Sequence, residues 1–214
     1  MIEVRNKAIE HVDHLVYSVP DLTAGIAQIE DLFGVAVQLG GRHSAFGTAN
    51  ALMALGNSRY LEIVGPDPDR ADVSVPILFQ LDRIDGPKLV TWAAKAYELT
   101  TRAADGLVPA VLGDVSSGSR TRVDGTTVGW QVSDPYTDRL GGVIPFLIDW
   151  TGSAHPTESL DQPCVLTQLD LGHPHPHEAA AALEALGIGQ SVHHRPDPEL
   201  VATISTPTGE HQLR

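Results

Sequence analysis

The chain has 214 residues, room for one large domain or two small ones around a sizeable core. Fourteen Lys and Arg against 27 Asp and Glu leave a formal charge of −13, a poor match for phosphate backbones and anionic lipid surfaces. There is no apolar run of bilayer length, no signal-peptide core in MIEVRNKAIE, and a single cysteine, Cys164. The expectation is a cytoplasmic globular protein without a disulfide and without nucleic-acid or membrane partners.

In chain order the pattern repeats. DHLVYSV at 13–19 reads as a strand. A helix follows, with Asp21 as its cap, Leu22, Ile26, Ile29 and Phe33 on one face, and Gly34 where a left-handed residue is wanted. Three extended stretches come next: 35–39, NALMAL at 50–55 and RYLEIV at 59–64. A second pass has a strand at 88–96, a helix from Tyr97 to about Ala104, RTRV and TTVGWQV around an Asp124-Gly125 turn, and PFLIDW at 145–150. A third begins at VLTQLDL, 165–171, continues with a helix from Pro176 to Leu186, and ends in three short strands. The boundaries are 11–69, 88–151 and 164–214.

Such strand–helix–three-strand modules predict an α+β fold. Each sheet curls, and two modules side by side close into a cup with flanking helices. Which two of the three pair is left open, and the third could cap the cup or form a homodimer.

Alternation sorts the polar residues. His14, Val16 and Ser18 share one face of the first strand, with Asp13, Leu15 and Tyr17 on the other. Tyr60, Glu62 and Val64 share a face of the fourth strand. If the concave faces coincide, His14 and Glu62 enter one cavity, and imidazole plus carboxylate suits Zn, Fe, Mn or Ni. Between them the loop GGRHSAFGTAN holds Arg42, which could bind a carboxylate, and His43, which could act as acid or base. Thr48 and Asn50 follow on one strand face. Trp92, Trp130 and Trp150 lie in the second module, either in its core or along an apolar pocket. The alternating His173, His175 and His177, with His193 and His194, read as exposed loop residues, and Cys164 has no assigned role.

The run DHLVYSVPDL…GVAVQLGGRHSAFGTANALMALGNSRYLEIVGPDPD resembles the glyoxalase-like family of the vicinal oxygen chelate superfamily. Glyoxalase I, extradiol dioxygenases, epimerases and fosfomycin- and bleomycin-resistance proteins belong to that superfamily. The resemblance implies a cup with a divalent metal held by first and fourth strands of paired modules. His14 and Glu62 match the first-module ligands. In the second module Thr91 stands where histidine is expected, and Asp149 falls near the carboxylate position.

The resulting expectation is a protein that binds a small oxygen-rich metabolite, with metal-assisted lyase or isomerase chemistry first and dioxygenase chemistry second. His43 and Glu62 would move protons; Arg42, Thr48, Asn50, Trp92 and Trp130 would touch substrate; His14, Glu62 and Asp149 would hold the metal. The alternative is a non-catalytic small-molecule binding or resistance protein on the same fold.

Overall fold

A computed structural model describes residues 8–43, 46–69, 78–121 and 125–214. One short helix, α1 (Ala8–His11), leads into β1 (Val12–Ser18). The first unit continues with α2 (Leu22–Phe33), β2 (Gln38–His43), β3 (Thr48–Ala54) and β4 (Tyr60–Pro66). The second has β5 (Lys88–Lys95), α3 (Leu99–Ala104), β6 (Val115–Thr121), β7 (Thr127–Ser133) and β8 (Phe146–Asp149). The third has β9 (Val165–His173), α4 (Pro176–Ala185), β10 (Val192–His194), β11 (Glu199–Thr206) and β12 (Gly209–Leu213).

The first two units close one eight-stranded barrel in the order β1-β4-β3-β2-β6-β7-β8-β5. Within each, the first strand pairs in parallel with the fourth and the remaining pairs are antiparallel. The units meet along a long antiparallel β1–β5 ladder, whereas among the described residues β2 pairs with β6 at Arg42 and Thr121. The third unit has the same order of elements along the chain but a different sheet, β10-β9-β11-β12. It packs outside the barrel: Leu166, Leu169, Leu171, Ala202 and Ile204 share a core with Val12, Leu15 and Trp92. A smaller cluster, including Val16, Val64, Ala93, Phe146 and Ile148, lies on the inner side of the barrel.

Local chemistry accounts for the helices. Asp21 accepts the Ala24 N–H at 2.9 Å at the start of α2, and Gly34 ends it at φ 67°. Its buried face is Leu22, Gly25, Ile29 and Phe33, with Ile26 partly buried beside them. α3 starts two residues later than the sequence pattern suggests. Glu98 is left-handed at φ 52°, and the Asp149 carboxylate on β8 accepts the Leu99 N–H at 3.0 Å. The β6–β7 turn includes Gly125 at φ 83°, while Asp124 lies outside the described residues. Among the described residues no helix is long and apolar enough to cross a membrane.

Candidate functional site

The barrel interior opens into a cavity of about 380 Å³. Its walls are aromatic: of the four Phe, four Tyr and three Trp in the chain, Phe46, Phe79, Phe146, Tyr60, Tyr136, Trp130 and Trp150 line it. Phe46 from the β2–β3 turn meets Tyr136 from the β7–β8 loop edge to face, with ring centroids 5.8 Å apart. Phe79 is held by its carbonyl, which accepts the Ser18 hydroxyl at 2.8 Å.

A chain of polar groups forms one wall. In β1 and β4, Val16 pairs with Glu62 and His14 with Tyr60, so His14 and Glu62 enter the barrel from adjacent strands. The His14 Nε2 lies 3.6 Å from a Glu62 carboxylate oxygen. The other Glu62 oxygen accepts from the Asn50 amide at 2.6 Å. The His14 ring stacks on Tyr60 at 4.6 Å and meets Phe146 edge-on at 5.4 Å.

Behind His14 stands Asp13, 1% exposed, whose carboxylate accepts from His14 Nδ1 at 2.9 Å, Trp150 Nε1 at 3.2 Å and His155 Nε2 at 3.2 Å. Burial alone would raise this carboxyl. Hydrogen bonds from His14 and His155 outweigh it and hold Asp13 at about 2. The network also sets tautomers. His155 Nδ1 accepts from the Thr157 N–H at 3.3 Å, so its proton is on Nε2. His14 keeps a proton on Nδ1 for ionised Asp13, and its Nε2 faces Glu62.

Strand alternation puts Asp13 on the opposite face, yet the structure joins it to His14. The β1–β5 ladder shifts register between Val12 and His14, and the adjacent carboxylate reaches the imidazole there. His155 was also missed. It caps the turn Pro156–Ser159, with Glu158 accepting its backbone N–H at 3.0 Å. The HPTE spacing signals that turn, but nothing local signals the contact with Asp13, 142 residues away.

Of the other expected residues, His43, Asn50 and Trp130 line the cavity. His43 Nδ1 sits 3.0 Å from the Thr48 hydroxyl. Thr48 is fully buried and orients His43 from outside the lining. Three further assignments are corrected. Arg42 is turned outward, paired with Asp69 and 3.8 Å from Asp67, because the acidic turn after β4 attracts it. Trp92 is fully buried in the outer core, its indole N–H donating to the Val143 carbonyl at 3.0 Å. Asp149 faces away from the cavity and is spent on the α3 N-terminus and on Thr151. Burial would raise its carboxyl, but these hydrogen bonds carry it below the usual carboxylate range.

A superfamily-type metal site does not fit these residues. By register, Ala93 of β5 and Phe146 of β8 occupy the places of His14 and Tyr60, and Ile148 that of Glu62. Thr91, two residues along, gives its hydroxyl to the Gly142 carbonyl at 3.3 Å. The second module therefore offers no donor at those positions, and among the described residues no three His, Cys, Asp or Glu side chains are grouped to hold a metal.

Two modules closed around an aromatic cavity with a polar cluster on one wall define a small-molecule-binding cup. The chain belongs to the glyoxalase-like domain family, whose profile matches residues 12–187. Among solved structures it is similar to a hypothetical protein from Staphylococcus aureus, with a TM-score of 0.65 at 11% identity, covering 95% of this chain and 98% of that one. It is also similar to methylmalonyl-CoA epimerase from Mycobacterium tuberculosis, with a TM-score of 0.42 at 18% identity, over 70% of this chain and 92% of that one. A Streptomyces coelicolor methylmalonyl-CoA epimerase in complex with 2-nitronate-propionyl-CoA gives a TM-score of 0.45 at 20% identity, over 65% and 96%. No curated protein matches the sequence.

Proposed function

We propose that the protein binds a small oxygen-bearing metabolite in the barrel cavity and moves a proton on it, as a lyase or isomerase does. The observation that supports this reading is the His14–Glu62 pair, 3.6 Å apart on the cavity wall. General acid–base chemistry needs two proton-carrying groups fixed within reach of one substrate atom. Asp13 supplies the fixing on one side by holding His14 Nδ1, and Asn50 supplies it on the other by holding one Glu62 oxygen. That leaves His14 Nε2 and the second Glu62 oxygen to take a proton from carbon beside a carbonyl and return it. His43, steadied by Thr48, is a third proton-carrying group on the same cavity. No step is routed through a metal, since the second module provides Ala93 and Ile148 where donors would be needed.

The aromatic walls favour a second reading, a binding protein that encloses its ligand without chemistry. Isotope exchange separates the two. A ligand found by tryptophan-fluorescence screening is incubated with the protein in D₂O and followed by NMR. On the first reading the wild type exchanges its acidic carbon-bound hydrogen, and Glu62→Gln slows exchange by roughly 10²- to 10⁴-fold. A ligand that binds tightly yet never exchanges rejects proton transfer in favour of simple binding.

A further inference from the structure

The β7–β8 loop carries a cation that the cavity wall described above does not use. Asp134 accepts the Tyr136 N–H and the Thr137 hydroxyl, each at 2.8 Å, and Asp138 accepts the Gly141 N–H at 2.8 Å. Gly142 turns at φ 90° against β5, where a Cβ would lie 1.8 Å from the Val90 carbonyl oxygen, so only glycine permits this approach. The loop thus folds Arg139 inward. Arg139 is 3% exposed, and its guanidinium carbon lies 5.5 Å from the Phe146 ring centroid. Its Nη1 donates to the Asp134 carbonyl at 2.7 Å, but its Nε is buried without a hydrogen-bond partner. Among the described residues no carboxylate lies at ion-pair distance from it.

Arg139 lines a side cavity of about 230 Å³. Phe79, Pro135 and Tyr136 line both this and the main cavity. Among the described residues the two carboxylates on the side cavity's wall are occupied: Asp82 lies 3.4 Å from Arg83 Nε, and Asp138 holds the Gly141 N–H. Burial pulls Arg139 down to about 10, against the opposing charges of Asp134 and Asp138, and at neutral pH it remains a cation. A buried cation with donors to spare is costly until an acceptor of opposite charge meets it.

We infer that Arg139 binds an oxyanion, a carboxylate or phosphate group, in this side cavity, and that the group is the acidic end of the ligand in the main cavity. The inference rests on the main cavity being the ligand site. Guanidinium is the side chain whose planar fork matches such oxyanions. The volume is several times the ~30 Å³ share of one water molecule, enough for a phosphate or a short carboxylate arm. This is the role that Arg42 was expected to fill.

The test uses the full chain with three probes, phenylacetate, phenyl phosphate and neutral phenylacetamide, at constant ionic strength. Binding is read by quenching of tryptophan fluorescence, Trp130 and Trp150 lining the main cavity, and by thermal shift. One of the anions should bind roughly ten- to hundredfold more tightly than the amide, from charge-assisted hydrogen bonds. The stronger anion identifies the group as carboxylate or phosphate. Arg139→Met should abolish that preference and leave amide binding unchanged. Arg139→Lys, which keeps the charge and loses the fork, should reduce it, and this gives a second reading should the methionine variant not fold. Equal binding of all three probes, or a preference that survives both substitutions, overturns the oxyanion site while leaving the main cavity as a ligand site. Failure of every probe to bind overturns both.

Discussion

The two halves of the barrel share a strand order and differ in the chemistry of their inner faces. In the first half, His14, Tyr60, Glu62 and Asn50 form a connected polar wall. At the matching places the second half has Ala93, Phe146, Ile148 and, continuing the β7–β8 register by one residue, Trp130. The contrast shows that the backbone frame alone does not make a metal centre. Pairing two modules brings four positions together, and here only one module fills them with donors. A polar cluster facing Phe146, Ile148 and Trp130 is suited to a ligand with one reactive, oxygen-bearing edge and one flat apolar face.

The largest effect should come from cutting the polar wall off from its anchor. Asp13→Ala removes a buried carboxylate from three N–H donors and leaves them unsatisfied, so a loss of about 4 kcal/mol is expected in chemical denaturation. Because the folded-state carboxyl is depressed from 3.8 to about 2, its contribution is fully present above pH 3.8. It fades as the pH falls through about 2. The wild type should therefore lose stability over that interval more steeply than Asp13→Ala does. Parallel acid profiles would show that Asp13 is not the anchor.

Next comes a transplant. Ile148→Glu places a carboxylate at the position equivalent to Glu62, but with Trp130 where Asn50 would donate. Without a donor the buried carboxylate should cost about 2.5 kcal/mol. If Ile148→Glu is tolerated like a surface change, the two walls are less different than their contacts indicate. Adding Ala93→His should not recover the loss in metal-free buffer. Recovery on adding Zn²⁺ would show that the shared frame can support a second donor pair.

Trp150→Phe is a milder break, since it removes one of three donors to Asp13 and keeps the aromatic wall. About 1.5 kcal/mol is expected, with the ligand's apolar contacts preserved. A binding loss larger than the stability loss would mean that the indole also hydrogen-bonds the ligand.

Local signals made much of the fold legible. Asp21 and Gly34 bound α2 from its own sequence, and alternation in β1 and β4 is enough to face His14 toward Glu62. Less was legible where a residue's partner is remote or its strand is polar. β6, VSSGSRT, has no apolar alternation to mark its start, yet Ser116, Ser117 and Ser119 line the cavity. Asp13 was misplaced because alternation assumes an unbroken ladder, and the register shifts beside it. His155 and Arg139 lie in loops whose course is set by turns and glycines, so their burial beside the barrel carries no periodic mark.

Asp149 provides the smallest effect and the cleanest control. It lies next to Ile148 but on the outer face, and its role is local: it accepts the Leu99 N–H at 3.0 Å and the Thr151 N–H at 2.8 Å. Asp149→Ala should uncap α3 and cost about 1 kcal/mol, the usual worth of an N-terminal cap. α3 is only one and a half turns long, so the loss should show as faster amide exchange at Leu99 and in the turn that follows it. Ligand affinity and deuterium exchange on the ligand should stay at wild-type level, because no atom of this carboxylate lines the cavity. If Asp149→Ala instead abolishes binding while the barrel stays folded, the outer face of β8 is coupled to the site, and the separation of an inner chemical face from an outer structural one fails at that strand.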